Sequence, residues 1–400
     1  MTPSPVASRT PRASTTPVRL RAGVAGARRG ERGAILVHVA VAMSGLLAFS
    51  ALSIDLGTLW VSRAQAQNAA DAAAHAGVVS LAYGSPGDLD AARAAAQAVV
   101  AEHSIWGEAV APASVQMEIG PCPVGSPATP GDCVGVAVER GGASGAPLPT
   151  FFARLFGAGA TTLRASASAK VMLGNTTTCL RPWAIPDRWI EADGTWEPVD
   201  RYEAYVPGTS TPLSGPRDSY SPPGYDVGLA GTELRLYRHD FDHPEIAGEN
   251  FWMLDLPNAE VDHELRYERN IANCNPLTVS IGDSLPLTQA HLESTLQGVA
   301  ELVALDPEAY WDGSTIRGSA FTVSPRLVTI ALYDPDALAA TGAYNIGTEV
   351  VIRNLAGFFV MAFDDNRLRG VIVPAAGVFD GSADQVTENA AFLRTVALVR

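Results

Sequence analysis

The 400-residue sequence has no CxxC pair, no GxxxxGK[ST] loop, no GxSxG turn and no HExxH helix. The first absence argues against a zinc ribbon or a thioredoxin-type redox site. The second excludes a P-loop motor ATPase, and the third leaves a hydrolase serine without its elbow. The fourth leaves any His-rich cluster without a metalloprotease frame. Long hydrophobic runs are also scarce, with one from Ala34 to Ile54. Cysteine is limited to Cys122, Cys133, Cys179 and Cys274. Basic charge is scarce over most of the chain. The net charge is −14, residues 1–33 carry +6, and the rest carries −20. So acidic a body does not suit nucleic acid.

What is present begins with that tail. Seven Arg, among them Arg28, Arg29 and Arg32, stand just before the apolar run, amid Pro, Ser, Thr and Ala. This reads as a disordered basic tail whose charge holds the N-terminus in the cytoplasm. From Ala34 to Ile54 there are 21 residues without a formal charge. At about 1.5 Å per residue they cover the hydrocarbon thickness of a bilayer. Asp55 and Trp60 mark the far interface, where a carboxylate reaches water and an indole settles among headgroups. Pairing of Asp55 with a partner's cation is the alternative. The run is too long for a signal-peptide core, so an uncleaved anchor is expected.

No proline interrupts the chain before Pro86, and Ala, Gln and Arg favour helix. The helix should therefore project beyond the bilayer. Its small residues, Ala66, Ala69, Ala70, Ala73, Ala76 and Gly77, recur near helical spacing. Such a face packs on its own domain or on a second copy. With all four cysteines outside, disulfides are expected, the local pairing being Cys122–Cys133 and Cys179–Cys274.

The stretch "RRGERGAILVHVAVAMSGLLAFSALSIDLGTLWVSRAQAQNAADAAAHAGV" resembles the N-terminus of TadE/G-like proteins of tight-adherence (Flp) pilus assembly. "PTFFARLFGAGATTLRASASAKV" and "CLRPWAIPD" resemble later parts of TadG-like chains. The resemblance implies a role in assembling or anchoring a pilus, with pilus-assembly proteins as partners and no cofactor. Two departures stand out. The fifth residue after Gly33 is His38, where processed pilins of this system carry Glu. Asp380-Gly381-Ser382-Ala383-Asp384 differs from the D-x-S-x-S metal motif of von Willebrand A-type domains in its last position. That domain is not assigned.

The expected fold is α+β. A single transmembrane helix (34–60) follows the tail (1–33). It continues as a stalk helix into a small pilin-like α+β head (61–173), read as α-α-β-β-α-β. A second mixed-sheet α+β domain (174–400) follows, loop-rich in its first half. Its helix is read from Thr288 to Leu305. Its strands are read in "GTELRLYRH", "NFWMLDL", "PLTVSIGD", "RLVTIALYD", "TEVVIRNLAGFFVMAF" and "LRGVIVP". The densest polar cluster is "RHDFDHPE", with His239, Asp240, Asp242, His243 and Glu245. It reads as a solvated loop between strands. A metal held by His239, Asp242 and His243, completed by Asp262, His263 and Glu264, is the alternative. Three functions follow: a membrane-anchored, non-enzymatic pilus component in the cell (inner) membrane with its bulk extracytoplasmic; a tethered metal-dependent enzyme; or a surface-binding adhesin. The first is preferred.

Overall fold

The computed structural model describes residues 31–84, 88–120, 133–141, 147–157, 159–239, 245–342, 344–384, 387 and 391–399. It is a mixed α+β structure. A 53-residue helix, α1 (Glu31–Tyr83), leads the chain. At 1.5 Å per residue it is about 80 Å long. Among the described residues it is the one helix long and apolar enough to cross a membrane.

The principal elements after it, in chain order, are α2 (Leu89–Ala101), β1 (Val115–Gly120), β2 (Cys133–Arg140), β3 (Leu163–Leu173), β4 (Leu180–Pro186), β5 (Glu233–Arg238), β6 (Asn250–Leu254), α3 (His263–Ala272), β7 (Ser284–Thr288), α4 (Leu292–Ala304), β8 (Leu327–Tyr333), β9 (Glu349–Asp364), β10 (Arg367–Val373), β11 (Ala375–Ala376) and β12 (Leu393–Val399). The helix after Tyr83 starts where its cap dictates: the Asp88 carboxylate accepts the Ala91 N–H at 2.9 Å. Between β9 and β10 the chain reverses through Asp365 and Asn366, both at positive φ. Asp and Asn tolerate that conformation, so a two-residue hairpin forms there.

The elements form two sheets. The first has the order β11-β12-β3-β2-β1. Alternate residues of β2 (Val134, Val136, Val138) and β3 (Ala165, Ala167, Ala169) are buried with Ala66, Ala69, Ala70, Ala73, Ala74 and Val78 of α1. Alanine on both surfaces lets the helix axis approach the sheet closely. Gly77 carries this to its limit. A Cβ there would lie 2.9 Å from Val134 Cγ1 and 3.3 Å from Ala96 Cβ of α2.

The second sheet closes on itself. The strands pair in the cycle β4-β8-β9-β10-β5-β6 and back to β4, with β7 bridging β6 and β9. On one face Trp183, Phe251, Ile330 and Phe358 join Tyr267 and Ile271 of α3 and Val299 and Leu302 of α4. The intervening residues Ala184, Trp252, Ala331 and Leu355 enter a second cluster. Burial on both faces explains the near-continuous apolar runs of β8, β9 and β10.

The structure differs from the sequence reading in four places. The strand read in "PLTVSIGD" is reduced to Val279–Ser280, and the longer strand is β7, which follows it. The stretch taken as loop-rich contains β4, a strand buried along its whole length despite Pro182 and Pro186. Asp262, His263 and Glu264, weighed as possible metal ligands, cap and open a helix that was not expected, α3. Finally, residues 174–400 do not all belong to the second sheet. β12 pairs antiparallel with β3, from Arg394↔Leu173 to Val399↔Ser168, and so completes the first.

Candidate functional site: the joint between helix and head

From Ile35 to Ile54 the large apolar side chains of α1 are exposed, Leu36, Leu47 and Phe49 among them. Burial on one side begins at Asp55, which is 5 % exposed. The change of surroundings thus falls one residue beyond the uncharged run.

Asp55 is not a free interfacial carboxylate. Its Oδ1 accepts the Phe151 N–H at 2.8 Å, and its Oδ2 accepts those of Phe152 at 3.0 Å and Ala153 at 2.6 Å. These N–H groups open the short 3₁₀ turn Ala153–Phe156, whose preceding residue Phe152 supplies no side-chain cap of its own. The turn's first donors would otherwise be orphaned. A carboxylate from 96 residues earlier supplies the missing acceptor. Asp55 thus caps a turn of its own chain.

Other polar residues of the α1 motif work in the same way. Gln65 Oε1 accepts the Trp106 N–H at 2.8 Å. Gln67 donates to the Ser166 carbonyl at 3.1 Å and to Asp71 at 2.9 Å. At the far end Tyr83 donates its hydroxyl proton to the Arg394 carbonyl at 2.7 Å, and Arg394 donates to the Ala82 carbonyl at 3.2 Å. The polar half of α1 is thus a set of clamps on three separate backbone segments and on β12. Its small-residue face lies under the head. The small-residue face packs on its own chain, where Ala66, Ala69, Ala70 and Ala73 are wholly buried.

Trp60 is 75 % exposed, on a different side of the helix from Asp55. Arg28 and Arg29 lie outside the described residues, and of Arg32 only the helical backbone is described.

Cys179 is bonded to Cys274, 95 residues on. Cys133 is also disulfide-bonded, and Cys122 lies outside the described residues. Beside the Cys179–Cys274 bridge, burial lowers the Arg181 guanidinium to about 10, and the group donates to the Asn273 carbonyl. In the second sheet Asp187 is fully buried. Burial raises its carboxyl, opposed by N–H groups of Gly224 and Tyr225 and the Tyr220 hydroxyl.

The metal alternative gains no geometry. Asp240, Asp242 and His243 lie outside the described residues. His239 is buried rather than solvated, its ring edge-on to Trp252 with centroids 3.9 Å apart. Asp262 caps α3 through the Leu265 N–H, and His263 hydrogen-bonds Thr288. Glu264 accepts from His291 N–H and the Ser294 hydroxyl, joining α3 to α4. Asp380 is bound by the Ser382 N–H and hydroxyl in a local turn. Among the described residues no group of three or more His, Cys, Asp or Glu is placed to hold a metal.

Residues 33–80 match the family model described as putative Flp pilus-assembly TadE/G-like. The matched residues lie within α1, from the start of its apolar run to three residues short of Tyr83. No curated protein and no solved structure matches the chain.

Proposed function

We propose that the protein is a structural, non-enzymatic component of a tight-adherence (Flp-type) pilus-assembly apparatus, anchored in the cell (inner) membrane by α1. The basic tail keeps the N-terminus in the cytoplasm, and both sheets lie outside it. The first sheet with α1 and α2 is a pilin-like head. The disulfide between Cys179 and Cys274 suits that compartment.

One observation carries this reading. Within a single unbroken helix, the run exposed all round ends at Ile54, and from Asp55 one side is covered while Leu56, Trp60 and Val61 stay exposed on the other, inside the residues that match the family model. A helix so divided holds a folded body at a fixed height above a bilayer. Its work is mechanical: it transmits position and force rather than chemistry.

The test is a crosslinked pull-down from native membranes, with an affinity tag after Arg400. Recovery of pilus platform or secretin proteins is expected. Recovery of the bait alone, from membranes that also hold those proteins, refutes the reading. Protease shaving of intact spheroplasts checks orientation: the second sheet should be digested and the N-terminal tail protected.

A further inference from the structure

The turn held by Asp55 has exposed aromatic side chains where few belong. Phe151 is 49 % exposed and Phe152 is 37 % exposed. The backbone N–H of each is bound directly to Asp55, which fixes both residues at the height of position 55 on α1. The loop's base is also fixed. Leu148 and Pro149 pair with Thr161 and Ala160 in a two-strand ladder.

Height along α1 translates into membrane depth. From Ile35 to Asp55 the helix rises about 30 Å, the hydrocarbon thickness. Position 55 is then the outer edge of the hydrocarbon, and Trp60 stands about 7.5 Å further out. At about 100° per residue, positions 55 and 60 are roughly 140° apart around the helix. Phe151–Phe152 and Trp60 therefore flank α1 on different sides.

Charge points the same way. Arg63 on α1 and Arg154 in the turn are exposed at this end of the head, whereas the chain beyond residue 33 carries −20. An anionic lipid surface would repel most of this protein and attract this end.

We infer that the Pro149–Gly157 loop is a second membrane contact. Phe151 and Phe152 insert at the boundary between headgroups and acyl chains, with Arg63 and Arg154 on anionic headgroups. The contact makes the head sit on the bilayer at a defined tilt instead of swinging on α1. Exposed phenylalanines beside a membrane span find in that boundary the apolar surroundings that water denies them. The inference rests on the reading of α1 as a membrane span.

The test uses the full chain in nanodiscs of phosphatidylethanolamine and phosphatidylglycerol. The photoreactive residue benzoylphenylalanine is placed singly at positions 47, 151, 152 and 261. Leu47 lies in the exposed apolar run, and Val261 is 95 % exposed in the second half of the chain. Lipid adducts are expected at 47, 151 and 152, each at least about tenfold above position 261. Labelling at 47 without labelling at 151 and 152 overturns the loop contact and leaves the span reading intact. No labelling at 47 overturns the span reading and the contact with it. A covalent dimer through 151 or 152 assigns the patch to a second copy and also overturns the proposal. The unsubstituted protein gives a second readout. Tryptic cleavage after Arg154, relative to cleavage after the exposed Arg317, should slow at least about tenfold from detergent to nanodisc. An unchanged ratio overturns the proposal.

Discussion

Replacing Asp55 with Ala should release the Phe151–Phe156 segment from α1 while leaving the rest of the head folded. Capping side chains ordinarily satisfy one backbone donor, and their loss shifts a local equilibrium between about twofold and thirtyfold. Asp55 satisfies three donors, at 2.8, 3.0 and 2.6 Å, with a carboxylate that is buried on the helix. Hydrogen bonds to a charged acceptor are also the stronger kind. The expected shift is therefore at the upper end, about thirtyfold toward the open loop. Asp55→Asn keeps one oxygen acceptor and loses the charge, so its effect should fall between those of wild type and Asp55→Ala. Native-state proteolysis in detergent reads this directly. Arg154 is exposed within the turn, and trypsin needs the segment open to cut after it. If reclosing outpaces cleavage, the rate follows the open population. Cleavage after Arg154 should rise about thirtyfold in Asp55→Ala, with cleavage after Arg317 unchanged. A rate within about twofold of wild type would show that Asp55 does not hold the loop, and the reasoning fails.

Three further outcomes follow from packing, covalent structure and charge. Gly77→Ala gains about 1 kcal/mol of helix propensity but meets Val134 at 2.9 Å, an overpacking that costs about 1–3 kcal/mol; a net loss is expected in thermal melts. Gly57→Ala, with nothing within 4 Å, should instead raise stability by up to about 1 kcal/mol, so equal effects at the two sites would refute the close approach. Cys274→Ser opens a 95-residue loop, and loop-closure entropy predicts a loss of about 4–5 kcal/mol in denaturant titrations. Burial, opposed by the Trp189 indole N–H and reinforced by the nearby Asp218 charge, raises the Glu191 carboxyl from 4.5 to about 7. The folded state then holds this proton more tightly than the unfolded chain, so stability from the group is complete below about pH 4.5 and is lost as pH rises to about 7. Glu191→Gln should remove that decline, and melts that run parallel to wild type from pH 4 to pH 8 would contradict it.

The parts legible in the sequence are those whose information is local. β2 alternates over Cys133–Arg140 because one face meets α1, and its limits match the structure. α2 announces itself through Asp88 and its Ala-rich run. α3 was equally legible: Asp262 caps it, and Tyr267, Asn270 and Ile271 are buried at helical spacing. β4 hid behind two prolines, which a strand interior disfavours. The capping role of Asp55 was not legible. Its partners lie 96–98 residues away, and a lone carboxylate after an apolar run looks the same whether it meets water or a capped turn. β12 poses the same problem at longer range, because nothing in "LRTVALV" says that its neighbour is β3.

That last strand sets an order of events. A chain is made from its N-terminus, so α1 and β1 to β3 exist long before Leu393–Val399. Until those residues arrive, β3 has an open edge on the side away from β2, and the end of α1 lacks the Tyr83–Arg394 clamp. Contacts separated by about three hundred residues form late, after the intervening chain has folded. A chain that stops short of β12 would carry α1 and most of the first sheet but leave that edge unpaired. Such edges invite aggregation and proteolysis. The first sheet is therefore completed only on molecules synthesised through β12.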